Sequence, residues 1–447
     1  MKQTLHESET SMLQAIPLRK QRDYRLLWSA RTTSITGSEV SRLAVPLTAV
    51  TMLAASPTEM GLLTSAAAVP ALLLGLQAGA IADRLKRHRP VMVACELVSA
   101  LAAVSVPVGW FLGVLTVPWL IAVALIIGSA SVLFKSANFQ HLAAVVDPTQ
   151  RTAAMAGFQA SYSAASVAGP SLAGLLVQLL TAPMAVLVEA FSFLASALML
   201  RSIRTHEDHT PAVSKGMWRD IVEGLRFSTT HPVIRSLLAA GTTINFFATA
   251  YIAVHMLYMV NTLQIPQGLL GALIAVSGVG GLLGAWATTR LAKRFGENRI
   301  LLATVLFFPM DIVLVGLLDG SLAFKITVLA ISSAATGAIV VSFATCLGAI
   351  IMREAPAEVR GRVNATMTFA VQGVMALGGV FGGLLAEQVG LRSVILICAV
   401  GIALSSVWVW TSPLRPRRRP LTQQPHQTSP TSQAATEAHY LRIRTTR

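Results

Sequence analysis

The chain has 447 residues, of which 54% are hydrophobic and only 12% charged, and its formal charge is +15. Soluble domains carry roughly 25% charged residues, so this composition, with a mean hydropathy of +0.64, excludes an ordinary soluble protein. In such a chain the positive excess points to basic loops against an anionic leaflet rather than to nucleic acid.

Residues 1–26 are polar and lack the apolar core of a cleavable signal, so the first span is expected to direct insertion. From there, apolar stretches of about twenty residues recur twelve times. Each is long enough to cross a hydrocarbon core roughly 30 Å thick. They predict transmembrane helices at 27–50, 60–82, 90–111, 119–138, 154–179, 183–200, 236–260, 268–289, 299–318, 324–352, 363–388 and 392–410. Lys and Arg collect in every second gap. Arg19, Lys20, Arg22 and Arg25 come first, then Arg84, Lys86, Arg87 and Arg89, then Arg151, then Arg201, Arg204, Lys215 and Arg219. Arg290, Lys293 and Arg294 follow, then Arg360 and Arg362, and finally Arg415, Arg417, Arg418 and Arg419. Gaps 51–59, 112–118, 180–182, 261–267 and 319–323 contain neither residue type. Positive loops stay cytoplasmic, which predicts both termini inside.

The long gap 201–235 divides the spans into six and six. Within it, Trp218 to Phe227 reads as an amphipathic interfacial helix with Trp218, Ile221, Val222 and Leu225 on its apolar face. The predicted organisation is an N-terminal segment (1–26), a six-helix bundle (27–200), a linker (201–235), a second six-helix bundle (236–410) and a tail (411–447). The tail is rich in Pro, Gln, Thr and Ser and is expected to be disordered.

The two halves echo each other. Gly79 to Arg84 closes span 2, and Gly284 to Arg290 closes span 8. Pro148 to Arg151 precedes span 5, and Pro356 to Arg360 precedes span 11. Gly169, Pro170, Ala173 and Gly174 in span 5 match Gly378, Gly379, Gly382 and Gly383 in span 11. Two parallel six-helix repeats are a transporter architecture, with a substrate site between them near the midplane. The expected fold is therefore an all-α membrane protein of twelve helices in two pseudo-symmetric bundles.

Soluble chemistries are missing. There is no Gly-rich loop followed by Lys-Ser/Thr, no metal-ligand spacing, and no nucleophile with its base. Cys95, Cys346 and Cys398 lie singly in apolar stretches. Neither an enzyme nor a cofactor is expected, and energy has to come from an ion gradient or the substrate's own gradient.

These residues resemble the major facilitator superfamily over nearly the whole chain. Gly79, Asp83, Arg84, Arg87 and Arg89 are similar to its signature loop after helix 2, although Lys86 stands where a second Gly is common. The resemblance implies that Asp83 locks the cytoplasmic ends of helices 2 and 11, a carboxylate being favourable near a helix N-terminus. The alternative is that Asp83 and Arg84 only terminate a helix and set topology. Gly169, Pro170 and Gly174 resemble the helix 5 motif of the exporter branches, with Ala173 replacing a usual Gly. Mechanically the motif is a tight helix contact. Arg22 to Pro46, Glu189 to Phe193, Glu223 to Phe227 with His231-Pro232, and Arg360 to Ala365 are similar to the narrower group of enterobactin-exporter and macrolide-efflux-like permeases.

Charges inside a bilayer are costly and mark functional candidates. Glu39 lies near mid-depth in span 1 with Arg42 three residues on, sharing its face. The pair either couples proton entry to substrate exit or is a static ion pair. Glu189, in the outer third of span 6, is a second proton-coupling candidate or an interhelical contact. Glu96 is read as structural, tied to the Asp83 cluster, and Asp311 after Pro309 has no assigned role. Cavity candidates are Arg31 on span 1, Lys135 and Asn138 on span 4, Gln159 and Tyr162 on span 5, Asn245, Phe246 and Tyr251 on span 7, and Gln372 on span 11. Lys135 and Asn138 could meet an anionic substrate, or Lys135 could snorkel to headgroups. His255 is placed near the outer end as a solvated group.

The resulting expectation is a secondary active exporter in the cell membrane, moving a small amphipathic molecule by alternating access in exchange for protons. A drug, natural product or siderophore is the substrate class implied by the resemblance. Partners are expected to be that substrate and the lipid bilayer, without nucleic acid, and the unit is expected to work as a monomer. An importer or uniporter of the same fold, and a non-transporting membrane sensor, are the competing readings.

Overall fold

A computed structural model describes residues 17–84, 87–205, 207 and 217–412. The expectations for Lys86, Lys215 and the tail beyond residue 412 lie outside the described residues. Spans 1–6 are helices α1 (Arg22–Met52), α2 (Pro57–Arg84), α3 (Arg89–Phe111), α4 (Val117–Val145), α5 (Arg151–Leu179) and α6 (Ala182–Arg201). The linker helix is α7 (Met217–Thr230). Spans 7–12 are α8 (Pro232–Leu257), α9 (Gln267–Phe295), α10 (Glu297–Gly316), α11 (Leu322–Glu354), α12 (Ala357–Val389) and α13 (Leu391–Trp410).

Eleven of these helices are long and apolar enough to cross a membrane among the described residues. The twelfth, α1, has the length at 31 residues but carries Arg31, Glu39 and Arg42 in its interior. Of these, Glu39 is buried and Arg31 half-buried, while Arg42 is exposed and bonded to Glu39.

Local chemistry sets the helix ends. Ser56 and Glu59 form a reciprocal capping box at the start of α2: the Ser56 amide donates to the Glu59 carboxylate at 2.8 Å, and the Glu59 amide to Ser56 Oγ at 3.2 Å. Gly296 and Gly390 sit at φ +82° and +83° and reverse the chain in one residue between α9 and α10 and between α12 and α13. A side chain would be strained at either position. The largest boundary difference is α4, which continues to Val145 rather than stopping at 138. His141 and Leu142 are buried there, so tertiary packing extends the helix through a polar stretch.

The helices pack in matching patterns. In the first half α1 lies against α5 and α6, α6 against α3, α3 against α4, and α4 against α2. In the second half α8 lies against α12 and α13, α13 against α10, α10 against α11, and α11 against α9. Two seams join the halves, α2 with α12 and α5 with α9. These are two pseudo-symmetric six-helix bundles.

Small residues shape both seams. A Cβ on Gly61 of α2 would fall 2.5 Å from the Gly379 carbonyl and 2.9 Å from Gly383 Cα. One on Gly271 of α9 would fall 2.7 Å from Gly174 Cα, and one on Gly278 would fall 2.7 Å from Val167. Along α2 and α12 the contact relaxes to an ordinary 3.5 Å between Leu72 and a Cβ built on Gly373. A Cβ on Gly75, Gly79 or Gly361 would meet nothing within 4 Å. The halves therefore close at the end that lacks basic residues and part toward the basic end.

The span 5 motif and its span 11 echo face two ways. Gly169 packs on Glu39 of α1, while Gly174 crosses α9. Gly378 and Gly382 pack on Phe246 and Ala250 of α8, while Gly379 and Gly383 cross α2. Linker helix α7 lies on α12, where a Cβ on Gly224 would fall 2.7 Å from the Arg362 carbonyl and 2.8 Å from Thr366. Gly224 and Ser228 are buried against the protein, and Leu225 of the expected apolar face is exposed, open to a lipid surface. A missing side chain allows closer approach to α12 than leucine would. The Trp218, Ile221 and Val222 side chains lie outside the described residues.

The seam predicts opposite signs for one substitution. Gly271→Ala is expected to destabilise the protein by about 1–3 kcal/mol through overpacking against α5 backbone. Gly75→Ala, into open space, is expected to stabilise it by about 0.5–1 kcal/mol through helix propensity. Thermal unfolding of both variants in detergent checks the contrast, and equal shifts would contradict the tight crossing.

Candidate functional site

In the first half, α1, α4 and α5 border a cavity of about 370 Å³. Its lining is Arg31 from α1, Lys135, Asn138 and Phe139 from α4, and Met155, Phe158, Gln159 and Tyr162 from α5. Arg31 lies roughly nine residues into α1, about 13 Å from its start at 1.5 Å per residue.

Contacts between α1 and α5 hold Arg31 in place. Trp28 Nε1 donates to the Gly157 carbonyl at 3.5 Å, and Thr32 Oγ1 bonds Ser161 Oγ at 3.0 Å. The Arg31 guanidinium stands 5.1 Å from the Phe158 ring centroid, a cation–π contact. Arg31 Nε and Asn138 Oδ1 are buried without a hydrogen-bond partner.

Five residues expected from sequence to face substrate, Arg31, Lys135, Asn138, Gln159 and Tyr162, thus share one cavity. Phe139, Met155 and Phe158 complete it and were missed. The signal was available: 155, 158, 159 and 162 form one helical stripe, as do 135, 138 and 139. Asn245, Phe246, Tyr251 and Gln372 do not line this cavity. Asn245 Nδ2 donates to the Gly241 carbonyl at 2.8 Å within its own helix. Phe246 stands edge-on to Phe247 at 5.1 Å and 5.2 Å from Phe381, in the packing between α8 and α12. Tyr251 lies 4.7 Å from the His255 ring, so His255 is held against an aromatic and partly buried rather than solvated. Gln372 is half-buried on α12.

The intramembrane acids separate into the seams around α1. Glu39 is 8% exposed and accepts from Arg42 at 3.2 Å, while the Arg42 side chain is 70% exposed. Glu189 is buried on α6 and faces Ser38 and Ser41 of α1. Glu96 accepts from Ser196 at 2.9 Å and Ser34 at 3.4 Å, which corrects its expected tie to the Asp83 cluster: its partners are hydroxyls of α6 and α1. Asp311 receives the Ser332 hydroxyl at 2.5 Å and that of Thr336, clasping α10 to α11. That gives a packing role to a residue the sequence left unexplained.

At the basic end, Gly79 stands in open space, Arg87 is exposed, and Asp83 and Arg84 form the last turn of α2 with side chains outside the described residues. The start of the linker is pinned to the first half. Asp23 Oδ2 accepts the amides of Arg204 at 3.2 Å and Thr205 at 2.8 Å, and the Thr205 hydroxyl at 2.6 Å. Glu207 accepts the backbone amides of His88 and Arg89, capping α3, and bonds the His141 ring of α4. Burial pushes the Glu207 carboxyl up, but the His141 ring and the two amides outweigh it and hold it below its ordinary value of 4.5. No sequence signal marked Glu207, because its partners come from two other helices.

Two six-helix repeats that cross tightly at one end, the first of them bordering a cavity, are the architecture of an integral membrane transporter of the major facilitator fold. The chain belongs to the transmembrane secretion effector family of that superfamily, whose model matches residues 13–439. An uncharacterised MFS-type transporter, YfiS of Bacillus subtilis, is 26% identical over 396 residues, which is 85% of this chain and 90% of that one. The multidrug efflux pump Tap of Mycobacterium tuberculosis is 26% identical over 393 residues, 86% of this chain and 91% of that one. Among solved structures, the nucleoside transporter NupG superposes with a TM-score of 0.68 at 14% identity, over 88% of this chain and 99% of that one. A bacterial homologue of the iron transporter ferroportin, in an inward-facing state, gives 0.69 at 16% identity over 87% and 98%. Family and fold are those of transporters rather than enzymes.

The Glu207 clamp predicts an acid-dependent stability difference. A carboxyl held below its unfolded value stabilises the fold above that value and ceases to do so as pH falls through its native one. Glu207→Ala is expected to cost about 1.5–3 kcal/mol at pH 7. The gap from the parent protein should shrink below about pH 4.5. Thermal unfolding at pH 7 and pH 4 measures it.

Proposed function

We propose that this protein is a secondary active exporter of small amphipathic molecules, working by alternating access in exchange for protons. The observation that carries the reading is the pairing of a sealed, glycine-crossed end with a cationic and aromatic cavity on the side of the basic loops. Basic loops favour the cytoplasm, so the basic end is taken as cytoplasmic, with both termini inside and the cell membrane as location. The state described is then one that loads from the cytoplasm. The efflux role of the Tap relatives supports export, and drugs, natural products and siderophores are the candidate substrates. The unit is taken to work as a monomer, without a cofactor.

In this reading the halves rock about the seams. Opening the far end requires the crossings at Gly61 and Gly379 and at Gly174 and Gly271 to separate while the basic ends of α2 and α12 meet. Asp83 would hold that second state near the first turn of α12. Glu39, next to the motif glycine Gly169 and paired with the exposed Arg42, is the proposed proton carrier, with Glu189 behind it on α6. Protonating Glu39 would release Arg42 and loosen the contact of α1 with α5.

Everted vesicles present the cytoplasmic face outward, so an exporter takes up compounds added outside. A panel of hydrophobic drugs and siderophores is expected to include one whose uptake needs the proton gradient and collapses with an uncoupler. Glu39→Gln is expected to lower that uptake by about a hundredfold, at the low end of the range for a proton-transfer group, while downhill exchange persists. Full gradient-driven uptake in this variant would remove Glu39 from the coupling. Asp83→Asn is expected to slow turnover with binding retained, and unchanged turnover would remove the lock.

A further inference from the structure

We infer that the transported molecule is an amphipathic anion carrying a hydrogen-bond donor beside its negative group. The anion sits between Arg31 and Lys135, the donor reaches Asn138, and the apolar body lies against Phe158 and Tyr162. The inference rests on the transport reading of this cavity and adds the class of substrate.

Charge is the first reason. Arg31 and Lys135 both line the cavity, and no Asp or Glu lines it. Among the described residues, no ion pair joins either cation to a carboxylate. Glu96, the acid that shares the α1 side of the bundle, is engaged by Ser34 and Ser196. While the cavity is open, water can solvate the two cations. When the halves close over them, two like charges lose that water; Glu96 acts on Arg31 only through space, without an ion pair, and no carboxylate acts on Lys135, so the charge is left largely uncompensated, which is strongly unfavourable. An anion brought by the ligand removes the penalty, so closure around a loaded site is favoured over closure around an empty one.

Hydrogen bonding is the second reason and is independent of charge. Asn138 lines the cavity, is 4% exposed, and its Oδ1 is buried without a partner. A carbonyl oxygen only accepts, so the ligand must present an N–H or O–H to it. The unpartnered Arg31 Nε on the same wall donates and suits the anionic group. A cavity of about 370 Å³ accepts one small aromatic molecule, near the lower end of the range for ligand sites.

Dansyl compounds vary these features on one apolar body. Dansylglycine has a carboxylate next to an N–H, dansylsarcosine has the carboxylate without the N–H, dansylamide is neutral and dansylcadaverine is cationic. Equilibrium binding is read by fluorescence titration of the full-length protein in phosphatidylcholine nanodiscs, with empty nanodiscs subtracted. Dansylglycine is expected to bind about tenfold more tightly than dansylamide, with dansylcadaverine weakest. Lys135→Met is expected to bring dansylglycine to the level of dansylamide, Lys135→Arg to restore it, and an unchanged thermal unfolding temperature to certify the fold. Dansylsarcosine is expected to bind several-fold more weakly than dansylglycine, a gap that closes in Asn138→Leu. Binding that is blind to charge, binding of dansylglycine unaffected by Lys135→Met, or no saturable binding of any of the four would overturn the inference. Because the titration involves no gradient, the two proposals fail separately. Anion-selective binding without vesicle uptake sinks export alone, and proton-driven uptake with charge-blind binding sinks the anion alone.

Discussion

The close approach of helix backbones at Gly174 and Gly271, and at Gly61, Gly379 and Gly383, is the constraint on which the rest of the structure depends. Lipid tails are as apolar as leucine, so helices in a bilayer gain little from burying apolar surface against one another. They associate where packing is tightest, which requires positions without side chains. Those positions lie toward one end of the seams. The halves therefore meet there, and the contact of α2 with α12 loosens beyond Leu72 and Gly373.

A second constraint is that charge in an apolar medium has to be neutralised, hydrogen-bonded or kept wet. The protein meets it in two ways around α1. The acids turn into the seams, Glu39 against Arg42, Glu96 against Ser34 and Ser196, and Glu189 against α1 serines. Arg31 and Lys135 turn to the cavity. The result is a strongly asymmetric site, positive where it is open and carboxylate-bearing in the walls behind. It also explains why α1, the least apolar of the twelve long helices, is the one that packs against both α5 and α6.

The linker is tied to both halves by different chemistry. Its first residues are fastened by Asp23 and by the Glu207 bonds to α3 and α4, which are short polar contacts with fixed geometry. Its helix lies on α12 through Gly224, a contact of shape. A rigid attachment to the first half and a close-packed one to the second put the linker in a position to feel any relative movement of the two.

The sequence by itself determined the number of long helices, their order, the two-fold repeat and the polar residues Arg31, Lys135, Asn138, Gln159 and Tyr162 that border the cavity. These follow from local quantities: apolar length against bilayer thickness, the alternation of basic gaps, and polar side chains at membrane depth. It also pointed to the span 5 and span 11 glycines as contact sites. Tertiary structure decided which neighbour each group meets. That Gly169 covers Glu39, that Phe246 packs between helices and away from the cavity, that Asp311 clasps α11, and that Glu207 bonds His141 each depend on rotations and crossings of separate helices. Helical periodicity gives the face a residue occupies, but the identity of the opposing surface is set only when twelve helices pack together.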